Sequence, residues 1–219
     1  MFRKKASLLE DNLLQTLIAA ITQTLARLVN LKTAGFYQQA SEEIDAELEK
    51  LLGLKADLVR RLSDLHIVEM LTVNEVLDIG RLIYVAELFR EDGEIQELQG
   101  KSIEGQTSQI RALNLLLEAS YASHHKFPTV NQQITRLLAT LYNALPEDTL
   151  FTVFDYFENR GQFADAERAL GQMLEITHQN PEILTEKKNF YERLLEKPDH
   201  ELNIGNLSRS HILQKIEQI

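Results

Sequence analysis

The stretch "RGQFADAERAL" (residues 160–170) recurs in character 126 residues upstream, where residues 34–44 read "AGFYQQASEEI". Both copies place an aromatic residue two positions after a glycine and an alanine three positions further on: Gly35, Tyr37 and Ala40, then Gly161, Phe163 and Ala166. Glycine adopts the positive φ that ends a helix, and a small alanine lets two helix axes approach closely. The pattern therefore predicts a turn between two antiparallel helices, not a site of surface chemistry.

The remaining sequence also favours helices. Apolar residues recur at spacings of three and four, as in 134–141, and alternating strand patterns are missing. The chain is therefore predicted to be all-α. The helices are expected near 8–32, 37–52, 55–71 with a break at Ser63 and Asp64, 73–98, 103–123, 129–144, 147–160, 163–177, 182–196 and 208–218.

Two kinds of signal mark where helices begin. Proline lacks the amide donor that a helix interior needs but suits the first turn, so each of the four prolines is interpreted as a helix boundary. They are Pro128, Pro146, Pro181 and Pro198. Capping boxes, in which two side chains satisfy free backbone donors, predict further starts at Ser7 with Glu10 and at Thr72 with Glu75.

Length, composition and net charge limit how many domains and which classes of partner are expected. With 219 residues, 44% of them hydrophobic, the chain can bury one sizeable core, and we expect a single helical-repeat domain over 1–219. The alternative is two subdomains meeting at "ASHHKFPT", 122–129.

A net charge of -10 disfavours nucleic acid and membrane surfaces as partners. The absence of cysteine and of a signal-peptide pattern favours a cytoplasmic location.

The motif G-x-[FY]-x-x-A-x-x-x-[LI] resembles the tetratricopeptide repeat, a helical hairpin of about 34 residues. The later copy departs from that family: Leu150 replaces an aromatic, Phe154 a small residue and Met173 an alanine. A weaker third copy has Gly100 at the turn and Gly105 in the alanine position, with Gln109 in the large apolar position.

The resemblance implies antiparallel helical hairpins stacked as a degenerate, tetratricopeptide-like right-handed array. The alternative is a set of unrelated amphipathic hairpins whose glycine turns coincide. The whole chain also resembles an uncharacterised bacterial family of tetratricopeptide-like proteins, and that resemblance implies no activity.

In tetratricopeptide proteins the first helix of each hairpin lines a concave face that binds peptides or partner helices. The resemblance places five residues of the later copy on that face: Asp148, Phe151, Asp155, Glu158 and Asn159. Family members that grip a terminal carboxylate use Lys and Asn where this chain has Phe151 and Asp155, so a basic or apolar ligand segment is expected instead. The alternative is that Phe151, and likewise Leu25 and Val29 in the earlier copy, are core contacts.

No local motif indicates catalysis, a cofactor or a metal. Phosphate-binding loops and nucleophile elbows are absent, and the single E-x-x-H pair, Glu175 with His178, lacks the second pair that a di-iron site needs. The adjacent histidines at 124–125 are interpreted as helix-end residues, and His66, His200 and His211 as structural or solvated ones. The paired carboxylates Glu91 and Asp92 are interpreted as part of a solvated face.

The sequence therefore predicts a protein–protein interaction or scaffold module that is not an enzyme, with no cofactor. An alternative from another class is an enzyme or small-ligand sensor with a polar pocket inside the array, which predicts a buried cluster of titratable residues. Self-assembly into a homo-oligomer through an apolar helix face is a third hypothesis.

Overall fold

The protein is described by a computed structural model that covers residues 21–124 and 127–218. The predicted capping box of Ser7 and Glu10 and the residue His125 lie outside these ranges. Within them, every regular element is helical except one pair of two-residue strands, which confirms the all-α fold class. No helix of the described residues is long and apolar enough to span a bilayer.

The chain divides into two compact units, Met1–Tyr142 and Asn143–Ile219. The boundary follows the seventh helix and lies outside the segment 122–129, and the expectation of a single domain stays a prediction. Unit 1 contains α1 (described over 21–33), α2 (Tyr37–Leu52), α3 (Ala56–Val59), α4 (Asp64–Met70), β1 (Thr72–Val73), β2 (Val76–Leu77), α5 (Ile79–Leu98), α6 (Ser102–Ala122) and α7 (Pro128–Leu141).

A 3₁₀ turn, Tyr142–Ala144, runs across the boundary into unit 2. Unit 2 contains α8 (Glu147–Asn159), α9 (Phe163–Ile176), α10 (Pro181–Leu195), α11 (Asp199–Ile204) and α12 (Arg209–Ile216). All four prolines stand at the first residue or the cap of a helix, which confirms them as boundaries. The predicted break at Ser63 is also confirmed, because its side chain caps α4.

Three glycine turns share one geometry. Gly35, Gly100 and Gly161 have φ of 78°, 80° and 70°, and each precedes a helix that begins two residues later. At the last of them the Gly161 amide donates to Glu158 O (3.0 Å) and the Gln162 amide to Phe157 O (2.9 Å). This pair of hydrogen bonds is the Schellman motif, which satisfies the last carbonyls of a helix. The predicted hairpin turns are therefore confirmed, including the weak copy at Gly100.

The turn at Gly161 yields a prediction about stability. Replacing Gly161 with alanine is expected to lower the free energy of unfolding by about 1 kcal/mol, because a Cβ disfavours the left-handed conformation. Urea denaturation followed by circular dichroism measures the loss. Gly161→Asn serves as the control and should lose less, because asparagine tolerates positive φ. Equal losses in the two variants would show that φ is not the cause.

The helix predicted over 73–98 begins later, at Ile79, so the capping box of Thr72 and Glu75 is wrong. Asn74 and Glu75 adopt φ of 51° and 64° and form the two-residue turn of a β-hairpin instead. The cap of α5 is Asp78, whose carboxylate accepts the Arg81 amide at 3.0 Å. The short α11 was also not predicted from the sequence.

The core of unit 1 contains a direct backbone contact between α5 and α6. A Cβ built on Gly105 would lie 2.8 Å from the carbonyl oxygen of Gly93, and one built on Gly93 would lie 2.7 Å from that of Gly105. Neither position has room for a side chain. Gly105 occupies the alanine position of the third hairpin copy, and its counterparts Ala40 and Ala166 are fully buried. In all three hairpins this position is therefore small and buried.

Candidate functional site

The five residues predicted to line a binding face lie along one side of α8. Phe151, Asp155 and Glu158 follow one another at spacings of four and three, which places them on one face of the helix. Phe151 is 46% exposed, so the alternative of a plain core contact does not describe it. Asp148, Asp155 and Asn159 are exposed as well, and Glu158 is half-buried. In the earlier copy Val29 is exposed and Leu25 is half-buried.

Three of these residues line an open cavity of about 710 Å³ beside the end of α10. Asp155, Glu158 and Asn159 come from α8, and the other side consists of Arg193, Glu196 and Lys197. Arg193 binds Glu158 with two hydrogen bonds, Nε to Oε1 at 2.9 Å and Nη2 to Oε2 at 2.8 Å. The same guanidinium binds Glu186 at 2.8 Å. The positive charge of Arg193 is therefore largely neutralised by these two carboxylates of unit 2.

The remaining carboxylates on this face are not neutralised. Neither Asp148 nor Asp155 forms an ion pair with any residue of the described ranges. Desolvation by neighbouring groups raises the pKa of Asp155, and the negative charges of Glu158 and Glu186 raise it further, while Arg193 opposes the change. A cation placed beside Asp155 would relieve this repulsion. We name the surface formed by Asp148, Phe151, Asp155, Glu158 and Asn159 the α8 face.

Buried rings support the aromatic residue of the α8 face. Phe151 makes an edge contact with Phe154 at 6.0 Å between ring centroids, and Phe154 makes another with Phe190 at 5.5 Å. Phe154 and Phe190 are at most 1% exposed. The exposed ring of Phe151 is therefore held by packing on its inner side.

A hydrogen-bonded cluster follows these rings in unit 2. The buried Tyr191, whose ring lies 5.5 Å from that of Phe190, donates its hydroxyl to Glu167. Glu167 also contacts His211, whose Nε2 lies 2.9 Å from Oε1. Histidine at this position links α12 to α9, which agrees with the structural role expected of it.

A second polar cluster, in unit 1, was missed by the sequence analysis. Glu91 and Asp92 are each 2% exposed, so the prediction that they belong to a solvated face is wrong. Glu91 pairs with Lys32 of α1 at 2.5 Å, and Asp92 binds Arg60 at 3.0 Å and Ser108 at 2.7 Å. The signal that could have found them is Gly93 in the middle of a predicted helix, because such a glycine marks a close approach of another element.

Glu87 lies one helical turn before Glu91 and is 3% exposed. Burial raises the pKa of its carboxyl group, while hydrogen bonding and charge from Arg90 oppose the rise. Its Oε2 accepts from Arg90 Nε at 3.0 Å, and its Oε1 accepts no hydrogen bond of good geometry from the described residues. A buried cluster of titratable groups is what the small-ligand alternative predicted, and here the groups are paired mainly with one another.

The arrangement offers no metal site within 21–124 and 127–218, where no three His, Asp or Glu side chains are placed to hold an ion. His178 lies at the end of α9 with φ of 52°, and neither it nor Glu175 belongs to such a group.

Comparison with known proteins identifies the family. No curated protein and no solved structure matches the chain. A family model described as a family of unknown function (DUF6483) matches residues 8–219, which is nearly the whole length. This agrees with the expected resemblance to an uncharacterised family, while the resemblance to tetratricopeptide proteins stays a prediction. The chain therefore belongs to the DUF6483 family.

Proposed function

We propose that this chain is a tetratricopeptide-like interaction module that binds a protein or peptide on the α8 face, in the cytoplasm of a bacterium. The observation that carries the proposal is Phe151, a half-exposed aromatic ring beside the unpaired carboxylate of Asp155. The binding partner is a basic or apolar segment.

The aromatic ring supplies the anchor. Binding energy in protein interfaces concentrates in a few aromatic and arginine residues that enter well-packed surroundings. Phe151 rests against Phe154, so little side-chain freedom is lost when a partner covers it. An exposed phenylalanine on a mobile loop would offer the same area at a higher entropic cost.

Charge selects the partner. Asp148 and Asp155 flank Phe151 at spacings of three and four, and neither has a cationic neighbour within 4.0 Å among the described residues. The chain as a whole carries a net charge of -10. An acidic segment would be repelled from this surface, while lysine or arginine next to an apolar anchor would complement it. Binding is therefore expected to weaken as salt is added.

The tetratricopeptide-like character of the module is supported by its turns. Gly35, Gly100 and Gly161 end helices in the same conformation, and the position five residues after each is small and buried. This repeated geometry is the unit from which helical arrays are built. Departures such as the fully buried Phe154 in a position where the family has a small residue mark the array as degenerate.

The test uses capture from native cells at low salt, with the purified chain and its Phe151→Ala variant as paired baits. We expect a partner enriched by the wild-type chain to bind the variant roughly tenfold more weakly, because the anchor contact is lost. The control is Ile204→Ala, which removes an apolar side chain that is 78% exposed in the same unit but not on the α8 face.

The affinity itself is measured with a fluorescent variant. The chain has no tryptophan, so Phe151→Trp introduces a single reporter that keeps an aromatic ring in place. A change in its emission on adding the captured partner, reduced by Asp155→Asn and by salt, supports the proposal. A partner that binds Phe151→Ala and wild type equally well would refute the α8 face as the binding surface.

A further inference from the structure

Unit 1 contains a polar cavity of about 470 Å³ between α5, α6 and α7, and no residue of the α8 face lines it. Its volume is in the range of cavities that hold small molecules. The lining includes carboxylates, guanidinium groups and three glutamine amides, with Leu137 and Leu141 as apolar walls.

Gln109 is the most unusual residue of this lining. It is only 6% exposed, yet its amide makes no hydrogen bond to any residue of the described ranges. Its amide atoms are not sealed from solvent, so they keep their hydrogen-bonding capacity by facing the open cavity. A Cβ built on Gly93 would lie 2.5 Å from Gln109 Cγ, so the missing side chain at Gly93 makes the space that Gln109 occupies. Its amide therefore reaches the cavity without a protein partner.

Two charged residues of the lining are also free. Glu97 on α5 and Arg136 on α7 form no ion pair with each other or with other described residues. Their neighbours Arg90 and Glu94 differ, because these two are bound to each other at 2.5 Å. The cavity thus presents one available negative charge and one available positive charge on different helices, with the amide of Gln109 on the third.

We propose that this cavity binds a small zwitterion of the α-amino acid type. The carboxylate of the ligand pairs with Arg136, its ammonium group pairs with Glu97, and the amides of Gln109 and Gln106 bind its remaining polar atoms. Opposite charges held apart on two helices fit a ligand that carries both charges better than a simple anion or cation. The site shares no residue with the α8 face, and the proposal does not depend on the partner proposed there.

The experiment titrates each of the standard α-amino acids into the full-length chain by calorimetry. The matched probes are the N-acetyl amides of the same amino acids, which keep the side chain and lose both charges. We expect at least one amino acid to bind with one site per chain, and its N-acetyl amide to bind at least tenfold more weakly.

Three variants locate the site. Arg136→Gln, Glu97→Gln and Gln109→Leu are each expected to weaken binding at least tenfold, and circular dichroism verifies that each variant folds. Arg136 and Glu97 are exposed, so their replacement is not expected to disturb the core. The control Arg81→Gln alters a surface ion pair of the same unit outside the cavity and should leave the affinity unchanged.

This test distinguishes the cavity proposal from the α8-face proposal, because the Phe151→Ala variant should bind the amino acid as tightly as the wild type does. Absence of binding by every amino acid at millimolar concentration would overturn the proposal. So would equal affinity for an amino acid and its N-acetyl amide, or an affinity that Arg136→Gln and Glu97→Gln leave unchanged.

Discussion

Replacing Arg111 with alanine is expected to lower the free energy of unfolding by about 3 kcal/mol. The side chain is 12% exposed and donates to three acceptors: Asp64 Oδ1 at 2.9 Å, Arg60 O at 2.9 Å and Leu62 O at 2.8 Å. Its guanidinium also lies 4.3 Å from the centre of the Phe89 ring. Alanine would leave these acceptors without their donor, and a lost partner for a buried group costs more than the bond itself contributes.

The loss is measured by urea denaturation of wild type and variant, followed by circular dichroism. The matched control is Arg81→Ala, which removes an arginine from a pair with Asp78 at 3.8 Å in which both side chains are about half exposed. Surface pairs of this kind contribute between zero and about 1 kcal/mol. A loss for Arg111→Ala no larger than that for Arg81→Ala would show that the loop acceptors are satisfied by water in the variant.

Replacing Gly105 with alanine is expected to lower the free energy of unfolding by about 2 kcal/mol. The added methyl group would lie 2.7 Å from Glu97 Cγ and 2.8 Å from Gly93 O. The side chain of Glu97 can move away, but the carbonyl belongs to the backbone of α5 and can move only if the two helices separate. The overlap outweighs the gain of up to about 1 kcal/mol that alanine brings to a helix interior.

A second helical glycine provides the control. Gly171 lies inside α9, and a Cβ built there would meet no atom within 4 Å. Gly171→Ala is therefore expected to raise the free energy of unfolding by about 0.5–1 kcal/mol through helix propensity alone. The two variants make the same chemical change with opposite expected signs. If Gly105→Ala also stabilised the protein, the contact between α5 and α6 would have to be looser than 2.8 Å implies.

Helix boundaries that depend on a single glycine or proline could be predicted from the sequence. A helix ending at Gly161 or starting at Pro181 depends on the conformational limits of one residue, so the sequence alone is sufficient there. The start of α5 was misplaced because Thr72 and Glu75 satisfy the capping pattern, while the two-residue turn at Asn74 and Glu75 competes for the same residues.

The candidate site was predictable only in part. The α8 face follows from helical spacing once the helix is known, and Phe151 lies on it with a 46% exposed side chain. Its partner Arg193 could not be predicted, because the pairing with Glu158 spans 35 residues and depends on how α10 packs in unit 2. Gly93 could have indicated the burial of Glu91 and Asp92, but their partners Lys32 and Arg60 come from distant parts of the chain and could not be predicted for the same reason.

The buried ion pairs of α5 have a consequence for how this helix is oriented. The buried apolar residues of α5 include Leu82, Tyr84, Val85, Leu88 and Phe89, which spread over about half of the circumference of the helix. A buried apolar face this wide specifies the rotation of α5 about its axis only coarsely. The ion pairs specify it more closely, because turning the helix would separate Glu91 from Lys32 and would leave the buried carboxylate of Asp92 without its cation, Arg60. Ion pairing thus refines the rotational register of α5, and with it the direction in which Glu97 faces.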